Sequence, residues 1–133
     1  MKDEALCNAS VVGAVNERAP GERAHFSVTD GLLKLETVYG VQLAPLFEHG
    51  SLQVKVYAPR VRDSGTPHPR DEIYVVARGE GVFYDGASRR QFQTGDLIFA
   101  PAGSRRRFED FTDDFAVWVI FYGPEGGGEN VQP

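Results

Sequence analysis

The sequence predicts an all-β domain, a sandwich or barrel of short antiparallel strands. Three observations point there. From Leu52 onward the apolar residues recur with a period of two, the repeat of a pleated strand. Turn signals punctuate these segments at short, regular intervals: Gly79-Glu80-Gly81, Asp85-Gly86, Thr94-Gly95-Asp96 and Pro101-Ala102-Gly103. The chain has 133 residues, which suits one domain able to bury roughly two-thirds of its unfolded surface without staples.

Taken in order, residues 1–22 are polar and weakly patterned and read as an N-terminal arm. Asp30 is placed to cap a short helix carrying Leu32, Leu33 and Leu35. Leu52, Val54 and Val56 alternate with Gln53, Lys55 and Tyr57, as in a half-buried strand. Glu72 to Arg78 is β-rich, and Val82-Phe83-Tyr84 follows the Gly79-Glu80-Gly81 turn. Asp85-Gly86 is a hairpin signal, because a type I′ turn needs positive φ at both central residues. Gln91 to Gln93, Leu97 to Ala100 and Arg105 to Phe108 supply three more short strands.

Phe115 to Tyr122 is apolar on both parities and needs protein on both faces: the other sheet, the N-terminal segment or a second subunit. The Gly126-Gly127-Gly128 stretch opens a flexible tail over 125–133, leaving one barrel domain over 23–124.

Composition narrows the function classes. A net charge of −5 argues against nucleic acid as a partner, since such binding needs a broad basic surface, and Arg105-Arg106-Arg107 is only three residues long. No apolar run approaches the roughly 18 residues that span a bilayer, so no membrane partner is expected. Met1-Lys2-Asp3-Glu4 lacks the basic start of a signal peptide, and the expected location is the cytoplasm. The single cysteine, Cys7, allows no internal disulfide and has no motif histidine beside it to make it a nucleophile.

Two blocks carry more specific information. His68-Pro69-Arg70-Asp71-Glu72-Ile73-Tyr74-Val75-Val76-Ala77-Arg78-Gly79 resembles the first cupin motif, with His68 at its second histidine place, Glu72 at the glutamate and Gly79 at the glycine. Gly95-Asp96-Leu97-Ile98-Phe99-Ala100-Pro101-Ala102-Gly103 resembles the second, with its spaced Gly, Pro and Gly. The resemblance covers about residues 50 to 124 and implies a cupin double-stranded β-helix, that is, a jelly-roll barrel. It also implies a divalent metal (Zn, Fe, Mn or Ni) held inside the barrel by two histidines, the glutamate and a third histidine from the second motif. Positions 66, 68 and 72 share parity and can converge on one face.

Two of the four ligand places differ here. Thr66 stands at the first histidine place and Arg106 at the third, which leaves His68 and Glu72. Catalytic zinc and 2-His-1-carboxylate iron both require three protein ligands. A guanidinium about 5 Å from a divalent ion would be repelled by roughly 6–7 kcal/mol at an effective dielectric near 20. The reading is therefore a small-molecule-binding barrel with no required cofactor. Its polar patch is Thr66, His68, Glu72 and Arg106, with Tyr74 and Phe108 as walls; Arg106 is expected to pair with Glu72, or else to face a bound carboxylate or phosphate, which would make the ligand a small anion.

The alternative is a metal-dependent isomerase, lyase or dioxygenase, with His68 and Glu72 as ligands, His49 completing the set, or His68 as general base. A third reading is a non-catalytic module built on a homodimer, the commonest closed assembly. Asp71, of opposite parity to Glu72, is expected to face away and pair on the surface.

Overall fold

The computed structural model describes residues 25–36 and 42–128. The arm over 1–22, Cys7 and the last five residues of the tail lie outside the described residues. Helix α1 (Val28–Leu35) is followed by eight strands: β1 (Leu43–His49), β2 (Leu52–Tyr57), β3 (Asp71–Arg78), β4 (Glu80–Tyr84), β5 (Arg89–Gln93), β6 (Leu97–Ala100), β7 (Arg107–Glu109) and β8 (Ala116–Tyr122). They form a five-stranded sheet, order β1-β2-β8-β3-β6, and a three-stranded sheet, order β5-β4-β7. All the pairings are antiparallel. This is the all-β architecture that the alternation and turns predict, and the jelly roll that the motif resemblance implies. Among the described residues, no helix is long and apolar enough to cross a membrane.

Between the sheets lies an aromatic core. Tyr74, Phe83, Phe92, Phe108 and Phe115 are all buried, with Val76, Val117, Val119 and Phe121 around them. Phe108 sits at its centre, its ring 4.9 Å from Tyr74, 5.0 Å from Phe83 and 4.9 Å from Phe115. These edge and tilted contacts are the arrangements aromatic quadrupoles prefer. Gly79 ends β3 with φ +88°, and a Cβ there would lie 2.6 Å from Thr112 Oγ1 and 2.8 Å from Phe115 Cα. The motif glycine is thus required both by its backbone angle and by close chain approach.

Several expectations are corrected. Asp30 is not the N-cap: Ser27 is, and Asp30 is the reciprocal member of a capping box, each side chain accepting the other's backbone N–H at 3.0 Å. Strand β1 has no alternation to announce it, because Pro45 and a register shift between Pro45 and Phe47 break the pattern; an edge strand tolerates both. The β4–β5 hairpin exists, but not with a type I′ turn. Asp110 is the one non-glycine with positive φ among the described residues. Asp85 instead accepts the N–H groups of Ala87 and Ser88, both at 2.8 Å, and closes a four-residue loop.

The doubly apolar β8 is resolved by the helix. Its inner side chains, Val117, Val119 and Phe121, join the aromatic core. On the outer face Ala116 packs with Leu35, Ala44, Val56 and Ala58, and Trp118 and Leu32 lie against that cluster. A Cβ on Gly31 would come within 2.9 Å of the Trp118 ring, so glycine lets α1 lie directly on the sheet. The helix thus covers part of the outer face. Farther along that face, on edge strand β6, Leu97 and Phe99 remain 68% and 52% exposed.

Candidate site at the barrel mouth

The site is built on β3 and the segment that precedes it. Glu72 and Tyr74 point inward because they share parity with buried Val76. Residues 58–70 cross the barrel mouth and are pinned by Asp63. Its carboxylate accepts from the Tyr57 hydroxyl at 2.7 Å, the Gly65 amide at 3.3 Å and the Phe108 amide at 2.9 Å. The Gly103 amide donates to the His68 carbonyl at 2.8 Å, and Glu72 pairs across the ladder with Ala100. The two sequence motifs therefore meet at one place, as their resemblance implies.

Arg106 points into the barrel. Its Nη2 donates to Glu72 Oε2 at 2.6 Å, and its Nη1 donates to the Thr66 carbonyl. Both side chains are largely removed from water, 11% exposed for Arg106 and 3% for Glu72. The pairing expected from the sequence is present. The contribution of Thr66 differs from expectation: its backbone carbonyl holds Arg106, while its hydroxyl meets Ser64 Oγ at 3.2 Å. The Tyr74 phenol lies against the same pair. Burial, and then the charge of Glu72, push its ionisation far above the ordinary tyrosine range.

His68 stacks on Phe121 with ring centroids 4.2 Å apart. Its Nδ1 accepts the Arg70 amide N–H at 3.1 Å, which assigns the proton of the neutral ring to Nε2. Nδ1 also lies 3.9 Å from Glu72 Oε2. The imidazole pKa is lowered, first by burial; the positive charges of Arg106 and Lys55 add to this and Glu72 opposes it. At neutral pH His68 is thus a neutral ring that offers an N–H, rather than a free basic nitrogen.

A cavity of about 200 Å³ opens on this group, lined by Leu43, Tyr57, Asp63, Thr66, His68, Glu72, Tyr74, Arg106, Val119 and Phe121, with Ser64 at its rim. Of the residues expected from sequence, Thr66, His68, Glu72, Tyr74 and Arg106 are brought together. Phe108 is not a wall: it is buried in the core, and only its backbone reaches the mouth loop through Asp63. His49 does not join either. It ends β1 opposite Leu52, on the parity of Val54 and Val56 that faces away from the barrel, and it is exposed. Among the described residues, no three His, Cys, Asp or Glu side chains come together to hold a metal ion.

Sequence reasoning missed the contributions of Tyr57, Asp63 and Lys55. Strand β2 alternates as predicted, but Lys55 and Tyr57 are the inward parity: they pair across the ladder with Val119 and Val117, which face the core. The apolar parity, Val54 and Val56, faces the helix layer. The one available signal was Tyr57 itself, an aromatic in the polar register. Asp71 is corrected as well. It faces away from the cavity, but it is buried, and its carboxylate accepts from the Ala102 amide at 2.8 Å and the Gly128 amide at 3.0 Å. With Gly126 donating to the Pro69 carbonyl at 2.7 Å, residues 126–128 are tied to the barrel rather than loose.

Comparison with known proteins agrees with this architecture. A family model described as a cupin domain matches residues 54–122. An uncharacterized protein of Streptomyces coelicolor is 35% identical over 63 residues, 47% of this chain and 60% of that relative, so the match spans less than two-thirds of its length. Among solved structures, the DMSP lyase DddQ of Ruegeria pomeroyi superposes with a TM-score of 0.53 at 26% identity, covering 61% of this chain and 46% of that one. KdgF of a Halomonas species gives 0.54 at 18% identity, over 60% and 76% of the two chains. A cupin-2 domain protein of Shewanella frigidimarina gives 0.52 at 15%, over 66% and 88%. With both motifs meeting at the barrel mouth and the family model spanning half the chain, this protein belongs to the cupin domain family.

Proposed function

We propose that this chain is a cupin barrel that binds a small molecule at its mouth and works without a resident metal. The observation that carries the reading is the contact between Arg106 and Glu72 at 2.6 Å, with Glu72 buried and Arg106 largely shielded from water. The residues present do not fit a metal centre. A catalytic zinc or iron site needs three protein ligands, and the family places here hold two. One of these, Glu72, already gives Oε2 to a guanidinium. The other, His68, has its Nδ1 occupied by the Arg70 amide, so its remaining nitrogen bears the proton.

What the pair leaves is a preformed, partly apolar cavity with converging polar groups, the ordinary character of a ligand site. The similarity to a lyase at 26% identity supports the view that barrels of this kind receive small ligands, and it assigns no reaction to this chain.

The test is elemental analysis of the untagged protein before and after dialysis against zinc, iron and manganese, alongside the double variant Thr66→His/Arg106→His. The wild type is expected to stay metal-free at every loading. The variant, with four ligands at the family places, is expected to take up one equivalent of zinc. Stoichiometric metal in the wild type would overturn the proposal.

A further inference from the structure

We infer that the ligand of the barrel mouth is a small carboxylate whose charge is anchored by Lys55; this rests on the reading of the mouth as a ligand site and names the chemistry it takes. Most of the charged groups around the cavity are already matched. Arg106 and Glu72 neutralise each other in contact. Asp63 is wrapped by three donors, the Tyr57 hydroxyl and the Gly65 and Phe108 amides. His68 is a neutral ring.

Lys55 is different. Its ladder partner is Val119, a wall of the cavity, so its stem starts on the inward face. Its ammonium stands 5.0 Å from the centroid of Phe121, the ring on which His68 stacks. Among the described residues no carboxylate lies within ion-pair distance of it, and the ring face is what it contacts. Lys55 is not itself a lining residue, but its half-buried cation lies against Phe121, a wall of the cavity, and so stands beside the mouth.

The rest of the cavity specifies the remainder of the ligand. Leu43, Val119, Phe121 and the rings of Tyr57 and Tyr74 make apolar walls. His68 contributes the Nε2–H that its Arg70 contact leaves free. A volume of about 200 Å³ is below the ~300–1,000 Å³ range of drug-sized ligands, so the body is short. A monocarboxylate with a compact apolar or aromatic body fits these requirements.

The experiment is an NMR titration of the full chain with sodium benzoate and with benzamide, its neutral isostere, at constant ionic strength, following the His68 and Phe121 ring resonances. Benzoate is expected to bind about tenfold more tightly than benzamide. Lys55→Met should bring benzoate down to the benzamide level and leave benzamide unchanged, while Lys55→Arg should keep the preference. Equal binding of the two probes by the wild type, or benzoate binding untouched in Lys55→Met, would overturn the role of Lys55 and leave the ligand site standing. No response to either probe at millimolar concentration would overturn both.

Discussion

Replacing Arg106 by methionine is the perturbation that bears most directly on the site. The substitution keeps a long apolar stem but removes the cation that faces a buried carboxylate: Glu72 is 3% exposed, and its Oε2 sits 2.6 Å from the guanidinium. Breaking one side of a buried pair costs about 3–5 kcal/mol, because the remaining charge is left without compensation. The upper part of that range is expected here, since Arg106 also satisfies the Thr66 carbonyl.

For a domain of this length the loss corresponds to a fall in Tm on the order of 10–20 °C. Urea unfolding at neutral pH measures it. The double variant Glu72→Gln/Arg106→Met, which removes both charges, should recover at least half of the loss, giving a coupling energy of several kcal/mol. A single variant as stable as the wild type, or a double variant equal to the sum of the singles, would refute the reasoning.

The His68 imidazole should titrate below its ordinary value of about 6.5 by NMR, and Lys55→Met should raise it by removing a neighbouring positive charge. Because the folded state resists protonation, stability linked to this ring is present above about 6.5 and is lost as pH falls below it; a pKa at or above 6.5 would contradict this. Asp71→Ala should cost about 1–3 kcal/mol and speed hydrogen exchange at the Ala102 and Gly128 amides, which lose a charged acceptor. Those two amides hold the Asp71 pKa below its usual value, so its contribution is present above about 3.9 and disappears as pH falls through the lowered pKa. Unchanged exchange at both amides would show that the carboxylate does not hold the segment.

The legible parts of the site were those tied to pleat parity and motif spacing. Tyr74 was placed beside Glu72 from sequence because residues of one parity on a strand share a face, and Arg106 was placed there because the resemblance to the two cupin motifs brings positions 72 and 106 to one centre. The parts that stayed hidden depend on which face is inside. In β2 the apolar register reads as the core side, yet a third layer, α1, claims it, and Lys55 and Tyr57 turn to the barrel. Asp71 was expected on the surface because its parity excludes it from the cavity; parity says nothing of the glycines at 126–128 that return to cover it. Phe108 shares the parity of Arg106 but lies deeper, so it packs in the core where Arg106 reaches the mouth.

The sequence by itself determined the all-β class, the strand-and-turn order from Leu52 onward, the meeting of two cupin motifs and the loss of two ligand places. The class and the strand order follow from local periodicity and turn chemistry, which act over a few positions along the chain; the motif meeting and the changed ligand places follow from the resemblance to the cupin motifs. Tertiary structure decided the direction of the Arg106 guanidinium, the tautomer of His68, the inward face of β2 and the burial of Asp71. Each of these depends on a partner remote in sequence or on a backbone contact that periodicity does not encode, namely Glu72, the Arg70 amide, α1 and Gly128.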